Sequence, residues 1–341
     1  MQKFKGADGL RGIACLIVLG LHNTGMYMGS SGIYTQGMEK YGVWLFFILS
    51  AFLLSFKFIN EQKPINYLLF YFISRSIRII PAFFICAIFY WYTDSYDLKK
   101  LYDILTFSGT YGHLWTIPVE FKFYFLLPFI AILSIVINDR FGTPTYIYTL
   151  ILFLFIHQIY FPYSKTAENT IDLLWYLPVF IFGIAISIVY NKYKLDMPDK
   201  WRDLMGFIIL ALIISVAPGI IKEIYHLQDT VYLMNKFIPL GILLSIFILL
   251  FIDAQGLIGK FVSSKIFRVF GKYSFSIYLY HFKFLFLGYF FAGTPFVSMI
   301  FSVFFGILTG VIMYYLVEHP CNRLRARIES VLLVKFPSLA S

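Results

Sequence analysis

Arg11 and His22 stand eleven residues apart in the apolar stretch ADGLRGIACLIVLGLHNTGMYM. Eleven helical residues make about three turns and a rise of roughly 16 Å, so the two side chains lie on nearly one face. In a helix crossing a hydrocarbon core about 30 Å thick, Arg11 sits near one surface and His22 well inside. Ionisable groups at that depth are costly, and they face a protein interior or a watered cavity. A titratable base above a fixed cation suits chemistry on a phosphorylated or acidic ligand.

Other residues extend the pattern. Arg75 and Arg78 in NYLLFYFISRSIRIIP are three apart and share a helix face, with Pro81 perturbing the helix just beyond. Two guanidiniums can grip phosphate bidentately, although topogenic or headgroup-binding cations would look the same. Glu120 in YGHLWTIPVEFKFYFLLP lies roughly 9 Å below the start of its apolar run, at a depth similar to that of His22. A carboxylate that reaches an imidazole fixes its tautomer and raises its basicity. Lys122, two residues on, does not share a helix face with Glu120. Ser50, Gly42 and Ala51 are small residues on an otherwise bulky helix, permitting close backbone approach. Tyr278, Tyr280, His281 and Lys283 are placed to line a polar cavity or carry protons, and Trp115 is a further cavity candidate. Aromatic packing is the alternative there. His113 and His157 are expected near the outer surface in solvent, and His226 and His319 in loops or at ends. No glycine-rich phosphate loop, nucleophile elbow or metal-ligand cluster is present in the sequence.

The elements that must position these groups are membrane helices. Sixty per cent apolar residues, 21% aromatic, 13% charged and a mean hydropathy of +0.77 describe an all-α polytopic membrane protein. Ten candidate spans fall at about 9–28, 41–59, 76–92, 114–137, 143–161, 171–190, 203–221, 234–252, 273–292 and 295–317. With a cytoplasmic N-terminus, twenty of the 28 Lys and Arg residues face inward and six outward, Lys122 and Lys283 lying within spans. Ten spans with both termini inside is the consistent solution, because the tail beyond Glu318 is itself basic. The net charge of +10 is then topological and argues against nucleic acid as a partner. Cys15, Cys86 and Cys321 are isolated and offer neither a disulfide framework nor zinc spacing. No cleavable signal, repeat or linker stands out, so residues 1–320 read as one ten-helix domain and 321–341 as a short basic cytoplasmic tail.

Six blocks, ADGLRGIACLIVLGLH, GVWLFFILSAFLLS, RSIRIIP, HLWTIPVEFKFY, SIYLYHF and YYLVEHPCNRL, run in order over residues 7–324, and in this the chain resembles the membrane acyltransferase 3 family. The resemblance implies a ten-helix bundle that transfers acyl groups, usually acetyl, from cytoplasmic acyl-CoA to hydroxyls of extracytoplasmic or lipid-linked glycans such as exopolysaccharide or O-antigen. It needs no metal, and its setting would be a bacterial inner membrane. Carried over, the family's Arg-x10-His pair falls on Arg11 and His22, its Arg-x-x-Arg pair on Arg75 and Arg78, and its acidic position on Glu120. The arginines would then hold CoA phosphates beside Ser50, while His22 acts as base or nucleophile oriented by Glu120. Ala51 departs from the family's usual glycine. Many members carry an added extracytoplasmic hydrolase-like domain, and this chain reads as a stand-alone member. A transporter with a His22 and Glu120 proton relay is the runner-up, although its inverted repeats and interrupted helix pairs are not detected.

Overall fold

The computed structural model describes residues 4–35, 37–60, 64–94, 96–227, 237–291 and 294–335. Lys3, Lys63 and Lys236, which contribute to the charge bias of the sequence, lie outside the described residues. Thirteen α-helices and no strands occur among those described. They are α1 (Lys5–Tyr27), α2 (Glu39–Ile59), α3 (Pro64–Asp94), α4 (Leu98–Leu105), α5 (Thr116–Tyr160), α6 (Leu173–Tyr193), α7 (Asp199–Ser215), α8 (Pro218–Glu223), α9 (Phe237–Phe251), α10 (Gly256–Val262), α11 (Lys265–Phe291), α12 (Pro295–Met313) and α13 (His319–Lys335).

Apolar runs with few breakers make most of these helices, and side-chain caps fix where some of them begin. Asp97 caps α4 by accepting from the Lys100 amide at 2.7 Å, and Asp172 caps α6 by accepting from Leu174 at 3.0 Å. Within α5 the chain kinks at Gly142, whose φ of 84° suits only glycine. Pro144 then opens the second arm. The basic segment carrying Arg75 and Arg78 is continuous with the apolar helix beyond it, and Pro81 sits inside α3 without ending it.

Among the described residues, five helical stretches are long and apolar enough to cross a membrane, or six if the α9–α10 pair, bent by 95°, counts as one span. Two helices that carry candidate chemistry, α1 and α11, are not among them. Lys5, Asp8 and Arg11 lie on α1, and Lys265, Arg268, Lys272 and Lys283 on α11. Both are nonetheless central, because α1 packs on α2, α11 and α12 while α2 packs on α5, α6 and α9.

Glycine sets the tightest of these contacts. A Cβ at Gly271 would stand 1.9 Å from the Asp8 carbonyl oxygen, and one at Gly12 would stand 1.9 Å from that of Phe267. The backbones of α1 and α11 therefore touch. Between α2 and α6 the close approach comes from Gly183, whose added Cβ would meet the Ile48 carbonyl at 2.4 Å and Ala51 at 2.7 Å. Ala51 is thus accommodated by a glycine on the partner helix. Gly271→Val forces the α1–α11 contact apart, an overpacking that costs about 1–3 kcal/mol. We expect a lowered Tm of the detergent-purified protein, and an unchanged Tm would show that the two backbones are not in contact.

The segment read from sequence as a short tail is largely the helix α13, which packs on α3. Residues 336–341 lie outside the described residues.

Candidate active site

Three cavities that share walls run through the bundle. The largest of the three, a chamber of about 840 Å³, is lined by Arg11, Lys57, Arg75 and Arg78 and by the carboxylate of Asp8. It meets a throat of about 60 Å³ at Arg11, Ser50, Arg78 and Tyr124. The throat in turn meets, on the side away from the chamber, a third cavity of about 140 Å³ at Val43 and Tyr278, the outer cavity of the series. His22, Lys40, His113 and Trp115 line that outer cavity, together with Glu39 and Glu168.

The cations gather in the chamber because α1 brings Arg11 to it, α2 Lys57, and α3 Arg75 and Arg78. Arg75 also lies over the Tyr124 ring, 6.0 Å from its centroid. Guanidiniums stack on aromatic faces in this way while keeping their donors free for an anion. In the throat, Glu120 accepts hydrogen bonds from Ser50 Oγ at 2.7 Å and from the Tyr124 hydroxyl, both on Oε1. Phe46 and Phe47 supply its apolar side.

The partner of His22 differs from the one its depth suggested. Its Nδ1 lies 3.1 Å from Nε2 of His281, and the two rings stack with centroids 5.3 Å apart. Glu120 instead belongs to the throat, on the far side of Val43 and Tyr278. A depth counted along each helix from the sequence says nothing of which helix faces meet, so it could not tell that the two groups line different compartments.

The hydrogen bonds fix the tautomers. Nδ1 of His281 lies 2.7 Å from the Tyr278 carbonyl, which can only accept, so that nitrogen carries the proton. In neutral His281, Nε2 is then an acceptor, and His22 donates to it from Nδ1. Nε2 of His22 is left as the nitrogen with a lone pair. His281 is 1% exposed, so its ring is locked by packing as well as by these bonds.

His113 was expected in solvent, but it is buried beside the pair, its ring 4.9 Å from that of His281. Its Nε2 donates to the Leu279 carbonyl at 3.0 Å, and its ring stacks on Phe282. Gly112, at φ 51°, turns the chain so that His113 and Trp115 point into the bundle ahead of α5. His157 is likewise buried, bonded to the Leu174 carbonyl at 2.8 Å.

The remaining candidates divide. Tyr278 walls both throat and outer cavity, but its hydroxyl donates to the His113 carbonyl at 2.7 Å and accepts from Thr116 at 2.8 Å. Its hydroxyl is thus held in place by both bonds. Tyr280 and Lys283 line none of the three cavities. Lys283 pairs with Asp94, whose other oxygen accepts from Tyr111 at 2.7 Å, and so ties α11 to the end of α3. Sequence reading missed Lys40, which pairs with Glu168 at 3.5 Å across the outer cavity. One lysine and one glutamate far apart in the chain carry no spacing signal. His113 did carry one, as the residue after a glycine and two before Trp115.

These features define a multi-pass helical membrane protein with an embedded histidine pair above a cationic chamber. The acyltransferase 3 family profile, described as an acyltransferase domain, matches residues 4–317, and the chain belongs to that family. A provisionally named O-acetyltransferase of Staphylococcus aureus strain COL is 26% identical over 326 residues, covering 83% of this chain and 50% of the relative. O-acetyltransferase OatA of Staphylococcus aureus strain NCTC 8325 is 24% identical over 367 residues, covering 93% of this chain and 57% of the relative. The chain therefore spans about half the length of the curated relatives it matches. No solved structure gives a significant match.

Proposed function

We propose that this protein is an integral-membrane O-acyltransferase that moves an acyl group, acetyl in the first instance, from cytoplasmic acyl-CoA to a hydroxyl of an extracytoplasmic or lipid-linked polysaccharide. The observation that carries this reading is the order of the compartments: cations at one end, a narrow throat, and a histidine lone pair at the other end. The names of the relatives, both O-acetyltransferases, support the acyl group. The matching topology is ten spans with both termini on the cytoplasmic face of a bacterial inner membrane, supported by the twenty-to-six distribution of cations.

In this reading Arg75, Arg78 and Arg11 hold the CoA phosphates in the chamber. The pantetheine arm passes Ser50 and Glu120, whose hydrogen-bonding atoms suit its amides, and the thioester stands at Val43 and Tyr278. The acceptor enters from the outer cavity, which Trp115 helps to wall and where Glu39 and Glu168 accept from sugar hydroxyls. His22 Nε2 takes the proton of the attacking hydroxyl as its oxygen bonds to the thioester carbon. His281 receives the hydrogen bond from His22 Nδ1 and stabilises the imidazolium. The tetrahedral intermediate then expels CoA as the C–S bond breaks, and the imidazolium returns the proton to sulfur.

The full-length protein in detergent, given acetyl-CoA and a chitooligosaccharide as a probe acceptor, is expected to release CoA thiol and form a base-labile acetyl ester. Proton-coupled uptake of substrate into proteoliposomes, without thiol release, would replace this reading with that of a transporter.

A further inference from the structure

The family match ends at residue 317, yet the chamber does not. Arg325 and Glu329 of α13 line it together with Arg11, Lys57, Arg75 and Arg78. The two are four residues apart, so they share one face of α13, and both are half-buried. Arg323 and Arg327 are exposed. Which face of α13 looks inward is set by the turn that precedes it. Residues Tyr314–Glu318 form a single π-helical turn, and one extra residue rotates the downstream helix by about 100° relative to a continuous α-helix. That turn is anchored by Glu318, which is buried and accepts from Ser276 Oγ at 2.8 Å. The register is therefore held from α11, and α13 lies along α3, the helix that carries Arg75 and Arg78.

We infer that α13 is a wall of the donor site and that Arg325 binds a phosphate of the acyl-CoA nucleotide there. This rests on the acyltransferase reading of the site. The cations of the chamber, Arg325 included, outnumber its carboxylates, Asp8 and Glu329, and so favour a polyanion. Glu329, one turn from Arg325, opposes that binding and moderates it, which lets product CoA leave. Arg323 and Arg327 are exposed and line no part of the chamber, and lipid headgroups are the other candidate source of phosphate.

The test is equilibrium binding of CoA to the full chain in nanodiscs of phosphatidylcholine alone, so that anionic headgroups do not compete. Arg325→Ala weakens CoA binding tenfold or more, and Glu329→Gln tightens it severalfold. Changes of opposite sign at neighbouring positions do not arise from a loosened helix. Arg323→Ala binds CoA as the wild type does. The inference is overturned if Arg325→Ala binds like the wild type, or if Glu329→Gln weakens binding alongside it. It is equally overturned if the Arg325 effect appears only when phosphatidylglycerol is added, which would assign the residue to lipid. A wild-type protein that ignores CoA overturns the acyltransferase reading as well. One that loses CoA on Arg75 and Arg78 substitution but not on Arg325 substitution keeps that reading and removes α13 from the site.

Discussion

His22→Ala lowers acyl transfer by about 10²–10⁴-fold, the range a positioned general base supplies, and leaves CoA affinity near the wild-type value. The two effects separate because His22 lines the outer cavity and not the chamber that holds the cations. The measurements are CoA thiol release and CoA binding on the same detergent-purified protein. Wild-type turnover in a well-folded His22→Ala protein would remove the central role of the imidazole. His281 acts through His22, so its substitution is the matching control. His281→Phe keeps an aromatic ring but removes the acceptor 3.1 Å from His22 Nδ1, and the loss falls on kcat with KM for acyl-CoA little changed. His281→Gln can restore an acceptor oxygen and recovers part of the rate. A merely structural role for His281 would give no such recovery.

Lysine at both Arg75 and Arg78 separates phosphate binding from topology. The double substitution keeps both positive charges, so orientation in the membrane is preserved. It removes two planar forks that can hold phosphate bidentately. Loss of one charge-assisted hydrogen bond costs about 1.5–3 kcal/mol, so affinity for CoA falls about ten- to a hundredfold. The readout is CoA binding, with a cysteine-accessibility map as the topology control. Unchanged affinity would mean that these arginines act only as surface charges and that the anion site lies elsewhere on the inner face.

The cationic chamber was largely legible in the sequence, because its arginines come from local patterns. Arg75 and Arg78 share a helix face by spacing alone, and Arg11 follows from its place at the polar end of the first apolar stretch. Lys283 shows the limit of the same reasoning. It stands two residues from His281, yet alternation around the helix turns it to Asp94 and away from all three cavities. Glu120 was paired with His22 by depth, whereas it bonds Ser50 and Tyr124 in the throat.

Composition and spacing determined that this is a helical membrane protein, that Arg11 and His22 share a face, and that Arg75 and Arg78 form a pair. Those properties follow from helix periodicity and from the cost of charge in hydrocarbon, both of which act within one segment. Only the tertiary structure decided that His22 meets His281, 259 residues away, and that His113 is buried beside them. It also decided that Glu120 answers to Ser50 and Tyr124. Each of these depends on which faces of two helices touch and at what register. Here that is set by backbone contact at Gly12 and Gly271, where the absence of a side chain carries no sign of which helix will fill the space.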